Sequence, residues 1–190
     1  MVNTSDNQTS RRASPASLLL AVVLMTGGLV GCAGNPSLPP IQTAEYVDLE
    51  RFMGDWYVIA SIPTFIEKHA YNAIETYELE EPGVIATTFT FNKGGPDGPR
   101  KTYHPTGYVY DTESNAIWGM QFIWPFKGDY KVVYVDPDYQ HTIIGRSKRD
   151  YVWIMSRSPN ISAADYSALK DIVARQKYDP EKLRRVPHDK

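Results

Sequence analysis

Residues 54–60, Gly-Asp-Trp-Tyr-Val-Ile-Ala, join a glycine turn to the start of a β-strand, and the rest of the chain is arranged around that strand. Glycine permits the tight turn that a side chain would obstruct. From Trp56 onward, the alternation of side chains predicts a strand with two distinct faces. One face carries Trp56, Val58, Ala60 and Ile62, and the other carries Tyr57, Ile59 and Ser61.

A single helical turn is predicted just before this strand. Leu49, Phe52 and Met53 have helical spacing behind Asp48, which can cap the N-terminus of the turn. We expect this turn to cover the bottom of the structure that the strand enters.

A second segment, residues 151–159, has a strand pattern that leads into Arg157. Together with the earlier turn it resembles the lipocalins, and within them the bacterial outer-membrane lipoprotein lipocalins, relatives of apolipoprotein D and of plant temperature-induced lipocalins. The resemblance runs from Val47 to the C-terminus. It implies an all-β fold, an eight-stranded antiparallel up-and-down β-barrel closed at one end by an arginine that covers a first-strand tryptophan. Gly54, Trp56 and Arg157 match these closed-end positions.

The chain between these two segments has the spacing of strands joined by short turns. An antiparallel meander must bury one face and protect its edges, and closure into a barrel does both. After the barrel, Ser162 begins a predicted helix that packs outside it, with Leu169, Ile172 and Val173 as the buried stripe. The predicted strands cover residues 71–80, 84–92, 101–110, 115–123, 130–135, 139–146 and 151–157.

The N-terminal residues are predicted to be a lipoprotein signal peptide. Arg11 and Arg12 precede an apolar run over residues 16–25, which is short for a transmembrane helix and typical of a secretory signal. The four residues ending in Cys32 resemble a lipobox, the site where bacteria attach diacylglycerol and cleave. This resemblance implies S-diacylglycerol and N-palmitoyl groups on Cys32.

The resulting layout has a cleaved signal peptide at 1–31, a lipidated N-terminus and tether at 32–43, and a lipocalin domain at 44–190. Ala33 is not the aspartate that retention of lipoproteins at the inner membrane requires, so we expect a lipid anchor in the outer membrane. Both the general and the twin-arginine export routes remain open.

Composition and motifs argue against several function classes. A net charge of −2 gives no electrostatic reason to bind nucleic acid. Cys32 is the only cysteine, so no internal disulfide is possible. The four histidines have no zinc-site spacing, and there is neither a glycine-flanked serine nor a phosphate-binding loop. We expect no metal, no cofactor and no enzymatic activity.

Alternation along the strands predicts which side chains line the barrel interior. A barrel of eight strands is just wide enough to be filled by its own side chains or to hold one small ligand, so a filled core is the alternative. The resemblance favours a cavity that binds a fatty acid or a lysophospholipid. The predicted cavity residues are Tyr77, Phe89, Trp118, Met120, Phe122, Trp153 and Met155.

Glu75 is the unusual member of its strand. By alternation with Ala73, Tyr77 and Leu79 it faces inward, where a carboxylate needs a partner or a raised pKa. The alternatives are a position at the wet mouth and an outward flip through a β-bulge. Residues 124–129 similarly place two aromatic side chains either at an exposed mouth or folded over the barrel.

The function implied by the resemblance is lipid storage or transport and envelope maintenance under stress, by a protein without bond chemistry. Two alternatives remain. One is a barrel enzyme acting on a lipid or an isoprenoid, with Glu75 near His104 or Tyr77 as its acid-base pair. The other is a packed periplasmic interaction module. A homodimer is left open as the assembly.

Overall fold

The structure is a computed structural model that describes residues 38–189. The predicted signal peptide, Cys32 and the first part of the tether lie outside the described residues. The elements in chain order are α1 (Leu49–Phe52), β1 (Gly54–Ile62), β2 (Ala70–Glu81), β3 (Val84–Lys93), β4 (Arg100–Tyr103), β5 (Thr106–Val109), β6 (Ile117–Ile123), β7 (Phe126–Val135), β8 (His141–Gly145), β9 (Val152–Ser156), α2 (Ala163–Arg175), a 3₁₀ turn (Pro180–Lys182) and β10 (Arg184–Arg185).

The strands form one closed antiparallel barrel. Neighbouring strands pair in order, and β1 pairs with both β2 and β9, which closes the wall. β4 and β5 both pair with β3, so together they form one barrel strand, interrupted at His104 and Pro105. The predicted eight-stranded up-and-down barrel is therefore confirmed.

One end of this barrel is closed by α1 and by Arg157. Asp48 caps α1 and accepts a hydrogen bond from the Arg51 N–H. The Trp56 indole donates to the Phe52 carbonyl at 2.8 Å, and the Arg157 guanidinium carbon lies 3.8 Å from the centre of the Trp56 ring. The indole is thus held between a helical turn and a cation.

The Arg157 guanidinium also satisfies backbone carbonyls that the closed end would otherwise leave without partners. Its acceptors lie in residues 51–55, which run from α1 into β1, and at Tyr139 before β8, so a single side chain ties these two parts of the chain together. Nη1 donates to Asp55 at 2.7 Å, Nη2 to Arg51 at 2.8 Å, Phe52 at 3.1 Å and Met53 at 2.7 Å, and Nε to Tyr139 at 3.3 Å.

Gly54 is required here for two reasons. Its φ of +91° lies in the left-handed region that favours glycine, and a Cβ at this position would lie 3.4 Å from Arg157 Nη1. A side chain at residue 54 would therefore strain the backbone and crowd the guanidinium.

A β-bulge in β1 changes the predicted faces of that strand. The pairing of β1 with β9 shifts register between Val58 and Ala60. Trp56 and Val58 belong to the interior cluster as alternation predicts, but Ala60 and Ile62 pack in the cluster outside the barrel. The extra residue in the bulge reverses the alternation beyond it.

Helix α2 packs against the outside of the barrel, as predicted. Ser162 caps it by accepting a hydrogen bond from the Asp165 N–H at 3.0 Å. Leu169 and Val173 are buried in the outer cluster, and Ile172 is partly buried and packs against it. No helix among residues 38–189 is long and apolar enough to cross a bilayer.

Both ends of the described chain lie against the barrel wall. The carbonyl of Pro39 accepts a hydrogen bond from Arg149 at 2.7 Å, the Gln42 N–H donates to Gln176, and Ile41 joins the outer cluster. Residues 39–42, assigned from sequence to the tether, thus contact the barrel wall through Ile41 and two hydrogen bonds, while Pro39, Pro40 and Gln42 are exposed. At the other end, β10 pairs with β1.

We expect Arg157→Ala to reduce stability far more than it reduces ligand affinity. The substitution removes the contact with Trp56 and leaves several closed-end carbonyls without donors, a loss of about 2–3 kcal/mol in the free energy of unfolding. Urea unfolding provides the measurement. Arg157→Lys keeps the charge but reaches fewer carbonyls, so its loss should be intermediate. A variant that unfolds normally but no longer binds ligand would contradict this role.

Candidate ligand-binding cavity

A cavity opens at the end of the barrel opposite to Arg157. Its volume is about 320 Å³, and most of its lining is apolar or aromatic. The loops after β1 and β8 and the turn between β6 and β7 surround its mouth. The lining residues are Thr64, Phe65, Ile66, Glu67, Glu75, Phe89, Tyr103, Met120, Phe122, Ile123, Gly128, Asp129, Tyr130, Arg146, Tyr151 and Trp153.

The predicted cavity residues divide into two groups by height along the barrel. Phe89, Met120, Phe122 and Trp153 line the cavity. Tyr77, Trp118 and Met155 are fully buried beneath it and do not line it, which corrects their assignment from sequence. Alternation gives the inward direction of these three side chains correctly but carries no information about depth.

An aromatic layer separates the cavity from the closed end. The Phe52 ring lies 5.6 Å from both Tyr77 and Trp118, the Tyr77 and Trp118 rings are 5.9 Å apart, and Trp118 stacks on Tyr130 at 5.6 Å. Centroid separations in this range are typical of favourable aromatic pairs. The barrel is therefore filled in its lower half and hollow in its upper half. The filled core considered from the sequence describes the lower half, and the ligand cavity describes the upper half.

Glu75 lies at the floor of the cavity, directly above this layer. Only 8% of Glu75 is exposed, and its Oε2 accepts hydrogen bonds from the hydroxyls of Tyr77 and of Tyr130, the latter at 3.1 Å. The two tyrosine hydroxyls also contact each other. The inward position expected from alternation is thus observed, with Tyr77 as a partner.

Burial dominates the ionisation of this cluster. Desolvation, helped by the charge of Glu67, raises the pKa of Glu75 to about 7, against the lowering effects of the hydrogen bonds from Tyr77 and Tyr130. Burial also raises the pKa of Tyr77 and Tyr130 well above that of an ordinary tyrosine. Both hydroxyls consequently remain protonated and act as donors.

A second carboxylate, Glu67, fixes the loop between β1 and β2 at the mouth. Its Oε1 accepts hydrogen bonds from the Thr64 N–H at 3.1 Å and the Thr64 hydroxyl at 2.8 Å, and its Oε2 accepts one from Trp153 Nε1 at 3.0 Å. Burial raises the pKa of Glu67. Both oxygens are therefore used to hold the loop against β9.

Arg146 borders the cavity with an unused donor. Its Nη1 lies 3.5 Å from Asp150 Oδ2, and its guanidinium carbon lies 5.1 Å from the centre of the Tyr151 ring. Its Nε is buried and has no hydrogen-bond partner within the part of the chain that the structure describes. A buried donor in this state is costly unless an acceptor approaches it.

Apolar side chains also project into solvent at the mouth. We call Phe65, Ile123, Trp124 and Phe126 the mouth patch. Phe65 is 84% exposed and Trp124 is 82% exposed. The sequence left two positions open for the aromatic side chains of residues 124–129, exposed at the mouth or folded over the barrel. The structure shows the exposed position.

Sequence reasoning missed several cavity residues. Glu67 lies in a loop without periodicity, and Tyr130 lies in a strand whose two faces are both apolar, so neither position gave an inward signal. His104, in contrast, was suggested from sequence as a partner of Glu75. The structure shows that His104 is exposed and contacts Thr88 outside the cavity, so it does not pair with Glu75. Within residues 38–189, no three His, Cys, Asp or Glu side chains gather as a metal site would require.

The match to a known family agrees with this architecture. Residues 47–188 match the family model described as Lipocalin-like domain. The chain belongs to the lipocalin family. It is 34% identical over 156 residues to temperature-induced lipocalin-1 of Arabidopsis thaliana, covering 77% of this chain and 82% of that protein.

Bacterial relatives and solved structures are also similar to this lipocalin. The outer membrane lipoprotein Blc of Citrobacter freundii is 31% identical over 172 residues, and the match covers 87% of this chain and 94% of the Blc sequence. The cockroach allergen Per a 4 superposes with a TM-score of 0.60 at 20% identity, covering 80% of this chain and 96% of its own, which supports the fold alone. Lipocalins bind hydrophobic small molecules, and this lipocalin has an apolar cavity of matching kind.

Glu75 is expected to make the fold less stable as the pH rises towards neutrality. Its pKa is about 7 in the folded state against an ordinary 4.5, so the folded state keeps a proton that the unfolded chain releases. Its contribution to the free energy of unfolding therefore falls between these two pH values, by about 3 kcal/mol at most.

Urea unfolding of wild type and Glu75→Gln across this pH range measures the effect. The variant cannot ionise, so its profile should be flatter. Glu78→Gln, at an exposed carboxylate on the same strand, is the matched control and should follow wild type. Parallel profiles for wild type and Glu75→Gln would rule out the buried proton.

Proposed function

We propose that this lipocalin binds a single-chain amphiphile, a fatty acid or a lysophospholipid, with its acyl chain in the cavity and its head group at the mouth. The role would be lipid storage or transport and envelope maintenance under stress, without bond chemistry. The observation that carries the proposal is an apolar cavity closed by aromatic side chains at one end and open at the other.

The size of the cavity supports one chain rather than two. Small-molecule pockets commonly range from about 300 to 1,000 Å³, and a cavity of about 320 Å³ lies at the lower limit. Each methylene that leaves water contributes roughly 0.8 kcal/mol, less the cost of ordering the chain. A single acyl chain can therefore supply useful affinity by burial alone.

The mouth offers a place for an anionic head group. The Arg146 guanidinium borders the cavity, and its buried Nε has no acceptor among the described residues. A carboxylate or phosphate oxygen at the rim would pair with this guanidinium through a charge-assisted hydrogen bond, and the side chain would have to shift for Nε itself to donate. This supports an orientation in which the charged end of the ligand stays at the rim.

The proposed location is the outer membrane, through lipid on Cys32. The names of bacterial relatives, outer membrane lipoprotein Blc, support this location, and the mouth patch provides apolar surface that suits the vicinity of lipid. Protein isolated from membranes should carry diacylglycerol and an acyl group on an N-terminal Cys32, which mass spectrometry of the N-terminal peptide detects. An unmodified Cys32 in that material would exclude the anchor.

Ligand binding is tested by isothermal titration of the folded, delipidated protein with a fatty acid and a lysophospholipid. Gly128→Leu should occupy part of the cavity, because residue 128 lines it and a Cβ there meets no heavy atom closer than the Met120 carbonyl at 3.6 Å. Displacing two or more ligand methylenes weakens binding by about tenfold or more. Gly95→Leu, in the open loop after β3, is the matched control and should bind normally.

Fluorescence adds information about where the ligand lies. Trp153 lines the cavity, whereas Trp118 lies below the floor. Ligand-induced quenching should therefore be lost in Trp153→Phe and largely kept in Trp118→Phe. If no ligand binds to the folded, delipidated protein, the packed interaction module becomes the better account.

A further inference from the structure

We propose that Glu75, with the hydroxyls of Tyr77 and Tyr130, forms a recognition site for a hydrogen-bond donor, a hydroxyl or an ammonium group, on the buried end of the ligand. The inference rests on the proposed function, because it assigns a chemistry to the floor of the same cavity. It also restricts the ligand class, since a plain alkyl chain leaves this site unused.

The first argument is that one oxygen of the Glu75 carboxylate has no hydrogen-bond partner. Both tyrosine hydroxyls donate to Oε2 of Glu75, while no described residue hydrogen-bonds to Oε1. Glu75 is more than nine-tenths buried and lines the cavity. Arg146 Nε is the one buried side-chain nitrogen or oxygen without a partner among the described residues, so the unbonded Oε1 is open to the cavity. A donor on the ligand can therefore reach it and complete the hydrogen bonds of the carboxylate.

The second argument is that the cluster has acceptor capacity only once Glu75 has lost its own proton, above its pKa of about 7. Tyr77 and Tyr130 have one proton each, and both protons are used inside the cluster, in the contacts with Glu75 and between the two hydroxyls. An ionised carboxylate has no proton to donate. The floor can therefore accept a hydrogen bond from a ligand, whereas the donor at the other end of the cavity, Arg146, suits an anion.

The third argument is the charge that surrounds the floor. The ionisable groups facing Glu75 are Tyr77 on its own strand, Tyr130 on β7 and Glu67 on the loop after β1. The other charged side chains of the lining are Asp129 and Arg146, near the mouth. A ligand carboxylate at the floor would meet two acidic groups and no base, so a fatty acid binds with its charged end at the mouth.

Glu67 does not compete for the same role. Its two oxygens are already bonded to Thr64 and Trp153. Substituting it therefore changes the electrostatics at the floor without removing the free acceptor. This makes Glu67 a useful control residue.

The first experiment compares decanoic acid with ω-hydroxydecanoic acid by isothermal titration of the delipidated full protein. The two differ only in a terminal hydroxyl, which costs about 1–3 kcal/mol when it is buried without a partner. We expect wild type to bind the hydroxy acid at least as tightly as decanoic acid. In Glu75→Leu the acceptor is gone, and decanoic acid should bind about tenfold more tightly than the hydroxy acid.

The second experiment measures decylamine affinity between about pH 5.5 and about pH 8.5. A cation close to a carboxyl lowers its pKa by roughly 1–3 units, so affinity should rise by about tenfold or more as Glu75 ionises. The midpoint in wild type should lie near pH 7, where Glu75 titrates. Glu75→Gln should abolish the rise while keeping a normal circular dichroism spectrum.

Two further variants should move the midpoint in opposite directions. Tyr130→Phe removes a hydrogen bond that lowers the pKa of Glu75, so the midpoint should rise. Glu67→Gln removes a negative charge that raises the pKa of Glu75, so the midpoint should fall. A purely structural role for these side chains would not produce opposite shifts.

The outcomes separate this inference from the proposed function. If the ligands bind but wild type prefers decanoic acid and shows no pH dependence with decylamine, the floor site is refuted and the cavity stands. If no probe binds to the folded protein, the proposed function fails and the floor site fails with it.

Discussion

The stacking of Arg157 on Trp56 is the interaction on which the rest of this barrel depends. A guanidinium has donors on three nitrogens, and here they reach carbonyls of the α1 turn and of the turn before β8 while its face covers the indole. Because this end is closed by a cation and backbone, the interior aromatic side chains can pack directly above it. The cavity is left at the other end, and its depth is set by this lower layer.

The floor of the cavity shows a conflict between stability and binding. An apolar side chain in place of Glu75 would avoid the cost of burying a carboxylate, yet the sequence retains an acid whose pKa is raised to about 7. Deviations from a well-packed apolar interior tend to occur at functional positions. Glu67 differs, because its hydrogen bonds hold a loop, so the two buried acids have separate roles.

Local spacing was enough to predict the strands, the capped turn before β1 and the outer helix, because each depends on residues near one another in sequence. The eight-stranded barrel and its closed end followed from the resemblance to lipocalins that residues 54–60 and 151–159 carry. It failed where geometry is not local. The bulge in β1 moved Ala60 and Ile62 to the outer face. Alternation gave the side of the wall for Tyr77, Trp118 and Met155 but not their height, and the role of Glu67 depends on its contact with Trp153 on β9.

Closure of the wall also has a consequence for the order of folding. Asp55 and Arg157 are 102 positions apart, and β1 obtains its β9 partner only when that distant part of the chain arrives. Contacts of such long separation form slowly, and an unpaired strand edge is a template for association with other chains. Until β9 arrives, the free edge of β1 is therefore open to pairing with another chain, whatever the final stability of the barrel.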